Sequence, residues 1–212
     1  VIVDHNGNLW LGTNKGLASF DTKTEKFTHI PKKINDKPVD ISPTVFEVYE
    51  DKKGIIWYST GNFMSVSGGN VDGLFRLDPS TGKQTFYKAD PLKKESLINP
   101  FVSAIFEDSK GNFWVGSSGN GLHTLDRKTG KFTRHLYDPL QPGKLSRPPI
   151  SKTDTTGTIS FIREDQAGKI WIGSYDNGLN WYDPKTGQTY HFGLPKNKKN
   201  NSPFEKDTLT GF

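Results

Sequence analysis

Short apolar runs recur along this chain, with polar residues alternating between the apolar ones. Three clear examples are Val45–Glu50, Val102–Glu107 and Ile159–Glu164. Alternation over such short stretches favours half-buried β-strands over helices. Each run is followed by Asp-x-x-Gly, in which the aspartate can bond its own backbone and the glycine accepts a positive φ. The pattern therefore predicts strands joined by tight turns.

The same pattern occurs four times, and it can be aligned on a tryptophan that follows each Asp-x-x-Gly turn. These tryptophans are spaced by 47, 57 and 57 residues, and they are Trp10, Trp57, Trp114 and Trp171. This period lies at or just above the roughly 40–50 residues of β-propeller blade repeats. The approximate repeats are residues 1–42, 43–99, 100–157 and 158–212.

Each repeat predicts four short strands, which we name A to D. Strand A precedes the Asp-x-x-Gly turn, strand B carries the tryptophan, and strand C begins at Gly-Leu. Strand D carries an aromatic residue, which is Phe27, Phe86, Phe132 or Tyr190 in successive repeats. One such sheet cannot bury both faces, whereas sheets stacked around an axis can. We therefore predict an all-β fold, a β-propeller with four blades of four antiparallel strands each, in which the tryptophans pack between blades.

Three departures from the common pattern are visible. The first repeat lacks most of strand A, the second has an insertion at residues 61–72, and the connection at residues 134–157 is unusually long. Residues 1–4 resemble the middle of a strand A, and residues 202–212 resemble the lead-in to strand A at residues 90–101. We therefore expect the chain to be a segment of a larger propeller.

Charge and composition narrow the classes of function. The 212-residue chain has a net charge of +5, but its basic residues do not follow one periodic face, so no nucleic-acid partner is predicted. Cysteine is absent, which removes disulfides and thiolate sites. No stretch approaches the roughly 20 apolar residues of a membrane helix, so we expect no membrane contact by this segment.

The combined motif Asp-x-x-Gly-x-x-Trp-φ-Gly-Thr/Ser-x-x-Gly-Leu resembles the two-component regulator propeller repeat. A linker of the form Asp-Pro-x-x-x-x-Ser-Leu at residues 90–97 strengthens the resemblance. The resemblance implies the periplasmic sensor region of a large histidine kinase, often of the hybrid type that controls polysaccharide use. It also implies a ring of about seven blades. The kinase core would lie elsewhere, because no ATP-binding or phosphoacceptor motif occurs in this sequence.

Antiparallel strands in sequential order place the A–B and C–D turns on one face of the propeller. The B–C loops and D–A connections share the other face, and they hold nearly all the sequence variation. Since function tends to reside in variable loops on a rigid scaffold, we predict recognition there. The candidate ligand-binding residues are Asn14, Lys15, Asn62, Phe63, Asn120, Arg147, Tyr175, Asp176 and Asn177. Further aromatic or polar residues in the D–A connections are Tyr87, Lys88, His135 and Tyr137.

Aromatic rings stack on the CH-rich faces of sugars, and amides and carboxylates match sugar hydroxyls. These loops therefore predict an oligosaccharide ligand, although the same residues would also suit ordinary loop packing, neighbouring blades or a dimer partner. A structural or protein-interaction propeller without a small ligand is the alternative. A propeller glycoside hydrolase or lyase is a weaker alternative, because neither a nucleophile elbow nor a metal-binding histidine pair occurs. No catalytic residue, metal or cofactor is predicted, and His123, inside a strand C, is expected to pack or lie at the surface.

Overall fold

The computed structural model describes residues 1–39, 44–61, 72–118, 121–135, 158–174 and 178–192. The regular structure in these residues is β throughout. The strands are β1 (Ile2–Val3), β2 (Leu9–Thr13), β3 (Gly16–Asp21), β4 (Lys26–Ile30), β5 (Lys33–Ile34), β6 (Lys37–Pro38), β7 (Val45–Glu50), β8 (Ile56–Thr60), β9 (Gly73–Leu77), β10 (Gln84–Lys88), β11 (Val102–Glu107), β12 (Phe113–Ser117), β13 (Gly121–Asp126), β14 (Lys131–Arg134), β15 (Ile159–Glu164), β16 (Ile170–Ser174), β17 (Gly178–Tyr182) and β18 (Thr189–Phe192).

Sixteen of these strands form four antiparallel sheets, each with its four strands in sequential order. We call the sheets blades 1 to 4, and strands A to D follow the chain within each blade. Strand A of blade 3 contacts the A strands of blades 2 and 4, so strand A is the inner strand. The predicted all-β fold with four-stranded antiparallel blades is confirmed, and blade 1 has the short strand A that the sequence indicates. The hairpin β5–β6 between blades 1 and 2 was not predicted.

The repeated aspartate builds more than a turn. In blade 3, Asp108 Oδ1 accepts hydrogen bonds from the backbone N–H groups of Lys110 (3.0 Å) and Asn112 (2.8 Å), and Gly111 takes a φ of 85°. The other carboxylate oxygen accepts the indole N–H of Trp114 at 3.0 Å. The same aspartate–tryptophan bond occurs in all four blades, at 2.8–3.0 Å. The motif therefore ties strand B to its preceding turn through side chains as well as backbone.

Three apolar clusters form the core, one at each boundary between successive blades. Trp10, Trp57 and Trp114 are 5%, 0% and 3% exposed, and each packs toward the following blade. This confirms their predicted packing role. Trp171 occupies the same place in blade 4, where it is only partly buried and stacks on Phe192 with ring centroids 6.0 Å apart.

The alignment of strand D requires a correction. Register pairs Phe27 with Phe20 and Phe132 with Leu125, but the corresponding partners in blades 2 and 4 are Gln84 and Thr189. The turn has the same length in every blade, so the aromatic residues predicted to be equivalent lie further along in blades 2 and 4. Phe86 and Tyr190 are therefore on strand D, as predicted, but not at the repeat position that Phe27 and Phe132 occupy.

A glutamate at the end of strand A joins each of blades 2, 3 and 4 to the blade before it. Glu50 accepts from the backbone N–H of His5 at 2.9 Å, Glu107 from Lys52 at 3.0 Å, and Glu164 from Ser109 at 2.6 Å. The donor in each case is the residue after the motif aspartate of the preceding blade. We call these contacts the glutamate latches. They give three successive interfaces the same hydrogen bond at the same place.

Candidate functional site

The two faces of the blade array differ in their connections. The turn face carries the A–B and C–D turns, such as residues 51–55 and 126–131. The loop face carries the B–C loops and D–A connections, of which the structure describes residues 14–15, 31–39 and 89–101. The loop face is the predicted recognition face, and its described parts can be compared with the sequence predictions.

Asn14 and Lys15 lie in the B–C loop of blade 1, and both are exposed. Thr13 Oγ1 accepts from the backbone N–H of Lys15 at 3.0 Å and donates to the Gly16 carbonyl at 2.8 Å, which closes a tight turn. These two residues therefore lie on the loop face as predicted, and a ligand contact by them stays a prediction. The other candidates lie outside the described residues, namely Asn62, Phe63, Asn120, Arg147, Tyr175, Asp176 and Asn177.

Two residues assigned to the D–A connections belong to the core instead. The Tyr87 ring stacks on Trp57 with centroids 5.8 Å apart, and the His135 ring stacks on Trp114 at 5.6 Å. Burial lowers the pKa of His135 to about 4, so its ring is neutral at pH 7. Both side chains extend the tryptophan layer between blades, which corrects their interpretation as loop-face candidates.

Arg134 on strand D of blade 3 anchors the connection at residues 89–101 through hydrogen bonds. Its guanidinium donates to the carbonyls of Asp90 (2.6 Å), Pro91 (2.9 Å), Lys93 (2.5 Å) and Ser96 (2.9 Å). The partly buried side chain of Arg134 thus provides hydrogen-bond donors for four backbone carbonyls of the loop that contains the Asp-Pro-x-x-x-x-Ser-Leu sequence. This linker is a structural element, because its carbonyls point inward to the arginine.

His123 secures the end of the same connection. Its Nε2 accepts from the Ile98 N–H at 3.2 Å, and its Nδ1 lies 3.0 Å from the Gly121 carbonyl, which assigns the proton to Nδ1. The side chain is fully buried, and burial lowers its pKa to about 4. Of the two roles expected for His123, packing or a surface position, the structure shows packing, and the ring is a neutral structural group.

A pocket opens on the loop face between blades 1 and 2. It is small, with a volume of about 10 Å³ that holds about one water molecule, and it is lined by Gly16, Leu17, Ile30, Lys32, Val45, Tyr58 and Thr60. Lys32 is 8% exposed, and its amine lies 4.7 Å from the centroid of the Phe75 ring. Nothing in the sequence singles out Lys32, because the burial of one lysine in a Pro-Lys-Lys segment leaves no local signal.

Gln84 fixes the backbone on both sides of Lys32. Its Oε1 accepts from the Lys33 N–H at 3.0 Å and from the Tyr58 hydroxyl at 2.8 Å, and its Nε2 donates to the Pro31 carbonyl at 2.7 Å. The amide occupies the strand D position that holds phenylalanine in blades 1 and 3. A polar side chain at this core position therefore serves to anchor the connection that carries Lys32.

Two ionisable groups near the loop face and the inner strands have shifted pKa values. Burial lowers the pKa of Lys32 to about 8, and the carboxylate of Asp72 opposes this shift, so the amine is mostly cationic at pH 7. Burial raises the pKa of Glu47 on β7 to about 7, and the charge of Arg163 on β15 opposes that shift. Blades 2 and 4 therefore influence each other electrostatically across the inner strands. No group of histidine, aspartate or glutamate in the described ranges could hold a metal ion.

A family of known proteins resembles the segment that carries the aspartate–tryptophan motif of blade 3. Residues 96–119 match the model of the two component regulator propeller. The match spans the end of the linker, strands A and B of blade 3 and the turn between them, including the Asp108–Trp114 unit. This segment is therefore similar to a two-component regulator propeller repeat. The resemblance seen in the sequence is thereby confirmed, and the other three blades repeat the aspartate–tryptophan bond of this regulator repeat.

Solved structures share the fold of this chain. An extracellular domain assigned to a hybrid two component system of B. thetaiotaomicron is 24% identical, with a TM-score of 0.65 over 91% of this chain. One assigned to a one component system of the same organism is 22% identical, with a TM-score of 0.61 over 89%. A gluconolactonase of Xanthomonas campestris is 16% identical, with a TM-score of 0.56 over 91%.

The extent of these similarities limits what they establish. The chain spans only 24% and 21% of the length of the two B. thetaiotaomicron domains. Among curated proteins none matches this sequence. At these identities the solved structures establish the β-propeller fold, and they include both sensor-type domains and an enzyme. No helix in the described ranges is long and apolar enough to cross a membrane.

Proposed function

We propose that this chain is part of the extracytoplasmic, periplasmic sensor region of a two-component histidine kinase, and that it acts by binding. The observation that carries the proposal is the regulator repeat at residues 96–119, whose turn, tryptophan and latch geometry recur through the array. The similar extracellular domains of two-component and one-component systems support it.

The ligand in this proposal is a carbohydrate that binds at the loop face. The turn face is filled by repeated structural contacts, whereas the loop face has the pocket at Lys32 and loops of differing length. Binding there would favour one arrangement of the propeller relative to a partner subunit, and so shift the population of a distant kinase between its states. A ligand can do this only to the extent that it binds one arrangement more tightly.

The blade array is proposed to continue into a larger ring of about seven blades. Trp171 and Tyr190 remain partly exposed on the face of blade 4 that corresponds to the covered faces of blades 1 to 3. A four-bladed ring would bring the turn at Gln166 against the end of β1. That position holds Val3 in place of a latch glutamate, so direct closure would leave the fourth interface without its hydrogen bond.

A glycan array followed by calorimetry tests the binding function. We expect at least one class of oligosaccharide to bind with a stoichiometry of one, and a Tm that rises with ligand concentration. If no oligosaccharide binds and a protein partner is recovered from the periplasm instead, the protein-interaction alternative replaces the sensor of sugars. Incubation with the same glycans also tests for turnover, because the gluconolactonase fold neighbour makes an enzyme the competing class.

A further inference from the structure

The three glutamate latches share a backbone hydrogen bond but differ in a second, side-chain contact. Between blades 3 and 4, the Ser109 hydroxyl donates to the latch glutamate at 2.6 Å. Between blades 2 and 3, the Arg127 guanidinium donates to it at 2.9 Å. Between blades 1 and 2, the contact comes from the imidazole Nδ1 of His5. The second contact is therefore neutral at one junction, permanently cationic at another and titratable near neutral pH at the third.

The imidazole of His5 lies in the junction of blades 1 and 2. Glu50 accepts from His5 with both carboxylate oxygens, since Oε2 takes the backbone N–H at 2.9 Å and Oε1 takes the ring at Nδ1. Gly54 of the facing turn leaves room for the ring, because a Cβ there would lie 2.9 Å from His5 Cε1. The His5 side chain is 64% exposed and its Glu50 partner 14%. The ring thus belongs to the interface and still exchanges protons with water.

In the part of the chain that the structure describes, two carboxylates act on this imidazole. The hydrogen bond to Glu50 raises the pKa of His5 above its ordinary value, and the charge of Asp4 acts in the same direction. Lys52 in the facing turn has its own partner, because its amine donates to the Asp108 carbonyl at 2.6 Å. Protonation turns the His5 contact into a charge-assisted hydrogen bond, which is roughly twice as strong as a neutral one.

We propose that His5 makes the junction of blades 1 and 2 a pH-responsive latch, which holds blade 1 more tightly in mildly acidic than in neutral solution. A base with a higher pKa in the closed junction than in the open chain stabilises the closed form fully below its open-chain value, about 6.5 for histidine. That stabilisation is lost as pH rises through the higher pKa of the closed form. The other two latches contain no histidine, so we expect them not to respond in this range.

The latch would connect pH to the recognition face through blade 1. That blade carries Asn14 and Lys15, the predicted ligand residues, on its loop face. Its hold on blade 2 at the turn face is the contact that changes with protonation. The inference does not depend on the nature of the ligand, and it can be tested on the protein alone.

An NMR titration of the His5 ring tests the first step. We expect the wild-type ring to titrate at a higher pH than in Glu50→Gln, where a neutral amide replaces the carboxylate. Salt should reduce the difference, because an exposed ion pair is screened. If Glu50→Gln does not fold, the urea-unfolded wild-type chain is the reference. Equal titration midpoints in the wild type and its reference would overturn the proposal.

Hydrogen exchange at the latch amides tests the second step. We expect the protection factor of the His5 amide, divided by that of the Ser109 amide, to rise about two- to fivefold from about pH 8 to about pH 5.5, the range for an exposed ion pair. The Ser109 amide is the matched control, since it makes the same bond to Glu164 beside a neutral hydroxyl.

The variant His5→Ser completes the comparison, because it copies the residue at the equivalent position of blade 3. It should keep the backbone bond to Glu50 and make the ratio of protection factors independent of pH. A wild-type ratio that does not change with pH would overturn the proposal. Survival of the pH dependence in His5→Ser would do the same, since it would assign the response to another group.

Discussion

The turn face and the loop face use the same strands but different chemistry. On the turn face, every blade repeats one aspartate, one glycine and one tryptophan, and each interface repeats one glutamate latch. On the loop face, the two described D–A connections are anchored by different side chains. Gln84 bonds the connection at residues 31–39, whereas Arg134 and His123 bond the connection at residues 89–101. Uniform interfaces on one side thus leave the other side free to differ between blades.

The largest expected effect of a single change lies on the turn face, at Asp108. This carboxylate is 1% exposed and accepts bonds from two backbone N–H groups and the Trp114 indole. Asp108→Ala leaves the buried indole N–H of Trp114 unpaired and removes the acceptor of two N–H groups in the turn, so we expect a loss of about 4 kcal/mol in the free energy of unfolding. Urea denaturation measures it. The same change at the more exposed Asp4 should cost clearly less, and equal costs would contradict the burial argument.

The next effect concerns the interface of blades 2 and 3. Arg127 donates to Asp51 at 2.9 Å and, with both guanidinium nitrogens, to Glu107. Its removal leaves two buried carboxylates without their cation, so Arg127→Met should cost about 3 kcal/mol. Lys128→Met, one residue further in the same turn, should stay within about 0.5 kcal/mol. If Arg127→Met unfolds at the same denaturant concentration as the wild type, the contacts of Arg127 with Asp51 and Glu107 contribute nothing to stability.

A loop-face counterpart is Arg134, which binds backbone carbonyls and no carboxylate. Arg134→Met should cost about 2 kcal/mol, and the damage should be local. Amide hydrogen exchange is the measurement that separates the two faces: Ile98 should lose protection, while the Asp108 turn keeps it. The exposed Lys88 provides the matched control for the loss of a cation. Uniform loss of protection would mean that the loop face shares the global stability of the turn face.

The smallest effect is a pH dependence at His123. Its folded pKa is about 4 against an ordinary value of 6.5, so below pH 6.5 the unfolded chain binds a proton that the folded chain does not. Stability therefore falls as pH decreases from 6.5 toward 4, and His123 accounts for about 1 to 2 kcal/mol of the loss by pH 5. His123→Asn, which copies the equivalent Asn180 of blade 4, should remove that share of the pH dependence. An unchanged pH profile would assign the acid sensitivity elsewhere, for example to His135.

The sequence predicted the turn face far better than the loop face. Asp-x-x-Gly and the tryptophan are local signals, because the hydrogen bonds that they make span at most six residues. The latch glutamates were visible in the pattern, but their partners are 45 to 55 residues away. Gln84 and Lys32 were missed for the same reason, since a glutamine in place of a phenylalanine gains meaning only when Pro31 and Lys33 are beside it. The candidate ligand residues at Asn62, Phe63 and Tyr175 stay predictions.

The glutamate latch also gives the repeat a direction. Glu107 reaches back to blade 2, and Ser109, two residues later, donates forward to Glu164. A gene segment that runs from one strand A to the next thus encodes one acceptor and one donor, and tandem duplication of that segment creates a new junction with both halves present. Recombination at another point of the repeat would separate the acceptor from the donor only if it fell between Glu107 and Ser109. A propeller built in this way can therefore gain or lose a whole blade and keep this hydrogen bond at the new interface.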